Sequence, residues 1–262
     1  MRRSVPLAFM ASLVMTSAAA AQTAPLPLPT PVPVQMMSGR DYADVLASPI
    51  RTEADRGADE ARQARTTLEF IGVQPGWRVA DMIIGGGYFT RLLSAAVGPE
   101  GHVTAWQPDE FIAFQASYGE ALTAADALPN VDGVRSPIGA PGFPSDLDLI
   151  FTAQNYHDLH LRHFPADTAA RVNAAAFAAL KPGGRYVIID HHAVEGSPLS
   201  VAHDLHRIDH DTVVAEVEAA GFRLSEEAAY LWRDDDPRTA NVFDPSIRGR
   251  TSQFAIIFRK PD

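Results

Sequence analysis

Eight of the nine histidines in this 262-residue chain fall between His157 and His210. At the start of that stretch, Asn155-Tyr156-His157-Asp158 sets an amide, a phenol, an imidazole and a carboxylate side by side. Imidazole titrates near neutral pH, and a carboxylate beside it fixes which ring nitrogen holds the proton. His157, oriented by Asp158 or Asp190, is therefore a candidate proton acceptor. The same residue types bind metals. His157, His160 and His163 recur every three residues, as do His203 and His206, with His210 four beyond, and Asp190-His191-His192 adds further donors. Steps of three on a helix drift by about 60° each, so the first set cannot converge on one ion while helical, whereas His206 and His210 at i, i+4 can. With no third ligand of fixed geometry, no metal site is assigned; a metal-assisted reaction stays as an alternative.

A second signal lies upstream. The apolar run ending at Asp81-Met82-Ile83-Ile84 leads straight into Gly85-Gly86-Gly87, then into Tyr88-Phe89-Thr90-Arg91-Leu92-Leu93. Glycines let the chain turn sharply and let a ligand approach the backbone, and the free N–H groups of a helix's first turn attract anionic groups. Close packing of strand on helix uses glycine too, and Asp81 can either cap the loop or meet the ligand, so both readings stay open.

These residues need a scaffold, and the hydrophobic pattern supplies one. Phe89, Leu92, Leu93 and Ala96 at i, i+3, i+4 and i+7 predict a helix from Tyr88 to Val97 with one buried face. Strands are expected over Arg78 to Ile83, His102 to Trp106, Val131 to Arg135, Asp148 to Thr152 and Tyr186 to Asp190. Helices are expected near Glu60 to Phe70, Glu110 to Ala124, Asp167 to Leu180 and Asp211 to Ala220. Lys181-Pro182-Gly183-Gly184 reads as a helix stop. Phe222 to Leu231 and Gln253 to Arg259 read as a closing antiparallel pair. Alternating strands and helices imply an α/β fold with a mostly parallel sheet covered on both faces and a ligand beyond the carboxyl ends of the strands.

From about Glu60 onward this arrangement resembles the class I S-adenosylmethionine-dependent methyltransferases. The residues that carry the likeness are Asp81 to Gly87, the turn and strand Gly98 to Trp106, Asp148-Leu149-Ile150-Phe151 and Leu180-Lys181-Pro182-Gly183-Gly184. More narrowly, Gly85 to Thr90 with Asn155 to Leu159 is similar to a group of exported bacterial predicted methyltransferases. The resemblance implies a Rossmann-like fold with a seven-stranded sheet. It implies S-adenosylmethionine held by Asp81, Gly85, Gly86, Gly87, Tyr88 and Gln107, and an unidentified small-molecule acceptor met by Asn155, Tyr156, His157 and Asp158 as the catalytic edge. The chain departs from the family pattern at three points. Ile83 stands at its first glycine, Gln107 replaces the ribose-binding acid with Asp109 and Glu110 the nearest carboxylates, and Ser136 to Pro144 holds no acid for the adenine. Those departures keep a non-catalytic ligand-binding protein as the alternative.

The remainder bounds location and partners. Arg2-Arg3, an apolar run to Ala21 and the small residues Ala19-Ala20-Ala21 read as a signal peptide over 1–21 that directs the chain to export, to the periplasm in a bacterial host. Prolines at every second position from Pro25 to Pro33 mark 22–38 as an extended linker, which leaves 39–262 as one methyltransferase-like domain. The formal charge is −10, and −12 once Arg2 and Arg3 are removed. Such a surface disfavours nucleic acid and anionic lipid as partners, no stable membrane insertion is expected after cleavage, and the oligomeric state is not encoded in any feature of the sequence. The absence of cysteine excludes disulfides and thiolate chemistry. Mass spectrometry of the protein from its native host should find the mature N-terminus near Gln22; recovery of intact Met1 from the cytosol alone would refute cleavage.

Overall fold

A computed structural model describes residues 40–262; the signal peptide expected over 1–21 and the linker expected over 22–38 lie outside the described residues. Three short helices come first: α1 (Ala43–Leu46), α2 (Glu53–Ala58) and α3 (Ala64–Ile71). The strands and helices then alternate as β1 (Arg78–Met82), α4 (Tyr88–Val97), β2 (His102–Pro108), α5 (Asp109–Phe114), α6 (Ala116–Asp126), β3 (Val131–Ser136) and β4 (Leu147–Ala153). After a single 3-10 turn over His157–His160 follow α7 (Thr168–Ala179), β5 (Leu180–His191), α8 (Ser200–Leu205), α9 (His210–Ala219), β6 (Arg223–Ala228) and β7 (Gln253–Arg259). The strands form one seven-stranded sheet in the order β3-β2-β1-β4-β5-β7-β6, with β7 antiparallel to both of its neighbours and the other pairings parallel. The Rossmann-like α/β expectation is met, including the closing antiparallel pair. Among the described residues no helix is long and apolar enough to cross a membrane.

Side chains alternate across the sheet because the strand period is two, and the core divides accordingly. Val79, Leu149, Phe151, Val187 and Ile257 face the cluster that buries Leu68 of α3 and Leu92 and Leu93 of α4. Ala80, Ile150, Ile188 and Ile256 face the opposite cluster, with Val172 of α7 and Val213 of α9. With both faces covered, the strands read as continuous apolar runs, as central parallel strands do.

Several boundaries differ from expectation. The helix expected from Glu60 starts at Ala64, because Gln63 takes a left-handed conformation at φ 48° and breaks the turn before it. The single helix expected over Glu110 to Ala124 is α5 and α6, separated at Gln115, whose backbone is extended. Lys181-Pro182-Gly183-Gly184 does end α7, but the chain continues there directly as the first residues of β5, with a register shift between Leu147 and Leu149 absorbing the irregularity.

The loop after β1 is the most constrained segment. Ile83 has φ +62°, a left-handed conformation that is an outlier for a β-branched residue. Its N–H and that of Ile84 both donate to the Trp106 carbonyl, at 2.9 and 3.2 Å, while its own carbonyl accepts from the Asn155 amide at 3.0 Å. The Ile83 side chain is buried, so packing holds a conformation that costs on the order of 1–3 kcal/mol. Glycine at 83 removes the strain along with the buried side chain, whereas alanine loses the packing and keeps part of the strain. Thermal denaturation should therefore rank Ile83→Gly above Ile83→Ala in stability, reversing the usual order of the two residues.

Candidate active site

In an open parallel sheet, the ligand crevice lies where neighbouring strands connect in opposite directions. Here that point falls between β1, which leads to β2 on one side, and β4, which leads to β5 on the other. A cavity of about 940 Å³ opens over it. The two loops are tied to each other: the Thr152 hydroxyl donates to the Met82 carbonyl at 3.0 Å, and Asn155 reaches Ile83.

On the β1 side the wall consists of Asp81, Ile83, Ile84, Gly85, Gly86 and Tyr88, with α2 residues Ala54 and Asp55 and the cation Arg62 opposite. Gly85 has φ +54°, which glycine adopts freely. Gly86 is different. Its φ lies outside the left-handed region, and a Cβ built on it would meet nothing within 4 Å. Neither backbone conformation nor a neighbouring atom requires glycine at 86, which lies on the cavity lining with open space about its Cα. Asp81 is buried and accepts a 2.6 Å hydrogen bond from Thr90. Burial raises its pKa to about 7, against the opposing pull of that bond and of Arg62 and Arg91. Arg62 lies over the Tyr88 and Phe89 rings at 4.7 and 5.5 Å and forms no salt bridge among the described residues, so its charge is available to an anion in the cavity. Arg91 is spent on a two-pronged pair with Asp55 and on the Gly86 carbonyl.

On the β4 side, Asn155, His157, Asp158, His191, His203 and His206 reach the cavity. His157 is held by Asp190, whose carboxylate accepts from the His157 backbone N–H at 2.7 Å and binds its Nδ1 at 2.8 Å. Burial alone would lower the imidazole's pKa, but the charges of Asp190 and Asp158 outweigh it and raise the value to about 9. The shift favours the protonated imidazole, a donor rather than a ready base. His191 goes the other way: burial holds its pKa near 3, the Asp190 charge opposing this without reversing it. Aromatic rings complete the chamber, with Phe111 stacked at 6.2 Å on Phe164 and Phe114 and Phe243 exposed at its rim.

Three residues expected at the site do not line it. Tyr156 is fully buried and points away, donating to Glu216 at 2.9 Å and accepting from Asn173 at 2.8 Å; it fastens the His157 turn to α7 and α9. Gln107 is fully buried beneath the glycine loop, its carbonyl oxygen accepting from the Gly85 N–H at 3.0 Å and its amide nitrogen left without a partner. Gly87 is not part of the cavity wall and stands at the N-cap of α4, at φ +75°. Of the alternative acids, Asp109 pairs with Arg135, whereas Glu110 lines the cavity and accepts from the Ile138 N–H at 2.9 Å. The structure separates His206 from His210: His210 bonds Asp211 and Glu227, both at 2.8 Å, while His206 turns towards His157. His160 is likewise engaged elsewhere, with Glu216 at 3.0 Å. The sequence reading missed Arg62, His206 as a partner of His157, and the aromatic wall. The 3.6-residue pattern near Glu60 placed Arg62 in a helix, but contacts of high sequence separation decide which residues meet.

No family profile matches the chain. It is 28% identical over 193 residues to the ubiquinone/menaquinone biosynthesis C-methyltransferase UbiE of Erwinia tasmaniensis, spanning 71% of this chain and 72% of that protein. Its fold is similar to that of a SAM-dependent methyltransferase from Aquifex aeolicus, with a TM-score of 0.52 and 19% identity over 84% of this chain and 98% of that one. It is also similar to the putative methyltransferase of Haloferax volcanii solved with the Trm112 methyltransferase activator, at a TM-score of 0.55 and 15% identity over 81% and 98%. The chain thus has the fold of the class I S-adenosylmethionine-dependent methyltransferases and is similar in sequence to C-methyltransferases that use this fold.

Proposed function

We propose that the protein transfers a methyl group from S-adenosylmethionine to a small, flat, largely apolar acceptor bound between the aromatic wall and the polar edge after β4. Gly86 is the observation that carries this reading: a glycine needed by neither backbone conformation nor neighbouring atoms, lying on the cavity lining with open space where a Cβ would stand. The residues beside it fit the cofactor. Gly85 and Gly86 offer bare backbone, Arg62 an unpaired positive charge suited to a carboxylate, Asp81 a carboxyl suited to an ammonium, and Glu110 an acid near the place that Gln107 has vacated. When bound, S-adenosylmethionine supplies an electrophilic methyl on a sulfonium.

The chain's own part is alignment. Asn155 is fixed by Ile83 and by the Ala153 carbonyl, at 3.0 and 2.7 Å, and His157 by Asp190. The polar edge facing the acceptor is therefore set before binding, which is where such an enzyme gains most of its rate. Phe111, Phe164 and Phe243 suit a planar apolar acceptor, in keeping with relatives named for quinone biosynthesis. We also propose that transfer occurs after export, a reading supported by Arg2-Arg3 and the Ala19 to Ala21 cleavage pattern. A non-catalytic ligand-binding role is the second reading, favoured by the buried amide of Gln107 where the family carries a ribose-binding acid.

The cofactor reading is tested with Gly86→Ala. Calorimetric titration with S-adenosylhomocysteine should show binding to the wild type and at least about tenfold weaker binding to the variant, a loss of about 1.4 kcal/mol. The variant's melting temperature should be unchanged or higher, since alanine costs less chain entropy than glycine. Equal affinity in the two proteins, or no binding to either, would exclude the cradle.

A further inference from the structure

We propose that His157, Asp158 and His206 form a binding site for one divalent transition-metal ion of the zinc type, with Asp190 as the outer partner that orients His157. The three ligand atoms come from two segments, His157 and Asp158 from the 3-10 turn after β4 and His206 from the end of α8. His157 Nε2 lies 3.3 Å from His206 Nδ1 and 3.3 Å from Asp158 Oδ1, and His206 Nδ1 lies 3.8 Å from the same carboxylate oxygen. Ligands at 2.0–2.1 Å from a tetrahedral ion are separated by about 3.3–3.4 Å. Two edges of the triangle match that spacing, and a small rotation of the partly exposed His206 ring closes the third. Two imidazoles and one carboxylate, with the fourth tetrahedral position open, is a recurring ligand set for zinc.

The surroundings fit a site rather than a chance cluster. A metal-bound imidazole usually donates its other N–H to a carboxylate, which fixes the tautomer and aims the free nitrogen; His157 Nδ1 meets Asp190 Oδ1 at 2.8 Å. Asp190 is itself fixed by the backbone N–H groups of His157 and His191 at 2.7 Å each. His206 is held in a left-handed conformation at φ +53°, and the residue after it is among the most firmly anchored in the chain. Arg207 is fully buried, bonds both oxygens of Asp236 at 2.9 and 2.8 Å and donates to the carbonyls of Ala240 and His192. Strain held in place by such anchoring accompanies functional positions. The carboxylates of Asp158 and Asp190 together balance a dication, which a buried site requires. The open side faces the same cavity, where His203 carries a buried ring nitrogen without a partner, and there the ion can take water or an oxygen of the acceptor. That last role rests on the methyltransferase reading; occupancy by metal does not.

The test uses the whole protein stripped with a chelator, then titrated with Zn(II) and, for its visible spectrum, with Co(II). We expect one equivalent of either ion and a Co(II) absorption typical of low coordination number. His206→Asn, which keeps a residue tolerant of left-handed backbone, and Asp158→Asn should each abolish tight binding, while His210→Ala should bind as the wild type does. Asp190→Asn should weaken the ion by about 10–100-fold, as loss of an outer carboxylate does. Circular dichroism melts identify any variant that fails to fold. Absence of stoichiometric binding to the wild type, or unchanged affinity in a folded His206→Asn variant, would overturn the proposal. Titration of the metal-free protein with S-adenosylhomocysteine reads the cofactor site separately, so failure of one reading is distinguishable from failure of the other.

Discussion

The pairing of β1 with β4 is the constraint on which the rest of the site depends. These two parallel strands lie side by side at the centre of the sheet while their connections leave in opposite directions, so neither following loop can cover the other. The gap left at their carboxyl ends is unavoidable in this topology. What the chain adds is stiffness across the gap. Thr152 and Asn155 on one side bond backbone carbonyls on the other, so the glycine loop and the histidine-bearing edge behave as one frame. A change that loosens either bond would shift both walls of the cavity together.

Asp190 organises the polar half of that frame. Fully buried at the end of β5, it accepts from two backbone N–H groups and from the His157 ring. These bonds and the neighbouring imidazolium keep its carboxyl below the ordinary range although burial alone would raise it. Its charge keeps one neighbouring imidazole protonated, while burial keeps the next one, His191, neutral. Two imidazoles whose rings lie 5.9 Å apart are thus shifted in opposite directions, an asymmetry that comes from burial and from the placing of charge rather than from composition.

Much of the fold was legible in the sequence because strand and helix periods are local properties. The apolar runs at Arg78 to Ile83 and Asp148 to Thr152, and the stripe from Phe89 to Ala96, each needed only their own residues to be read. The site was less legible. Gly85, Gly86, Asp81, Asn155, His157 and Asp158 meet at the cavity because the topology rule carries them there. Tyr156 sits between two cavity residues yet points to the opposite core, since a turn, unlike a strand or helix, has no fixed period. His206 and His210 have helical spacing, but a helix break at the left-handed His206 sends them to different neighbours. Gln107 was placed correctly at the end of β2, but its direction depends on the Gly85 N–H beneath which it folds. Backbone position followed from pattern; side-chain direction followed from partners distant in sequence.

Gly86 has a consequence for the life of the polypeptide as well as for its chemistry. Glycine in a position open to other residues costs the folded state roughly 0.5–1 kcal/mol in chain entropy relative to alanine. The fold is therefore softer than it need be at the loop that follows β1. A ligand that binds only the folded form restores that stability in proportion to the logarithm of its concentration. Resistance of the chain to unfolding and to proteolysis then follows ligand supply.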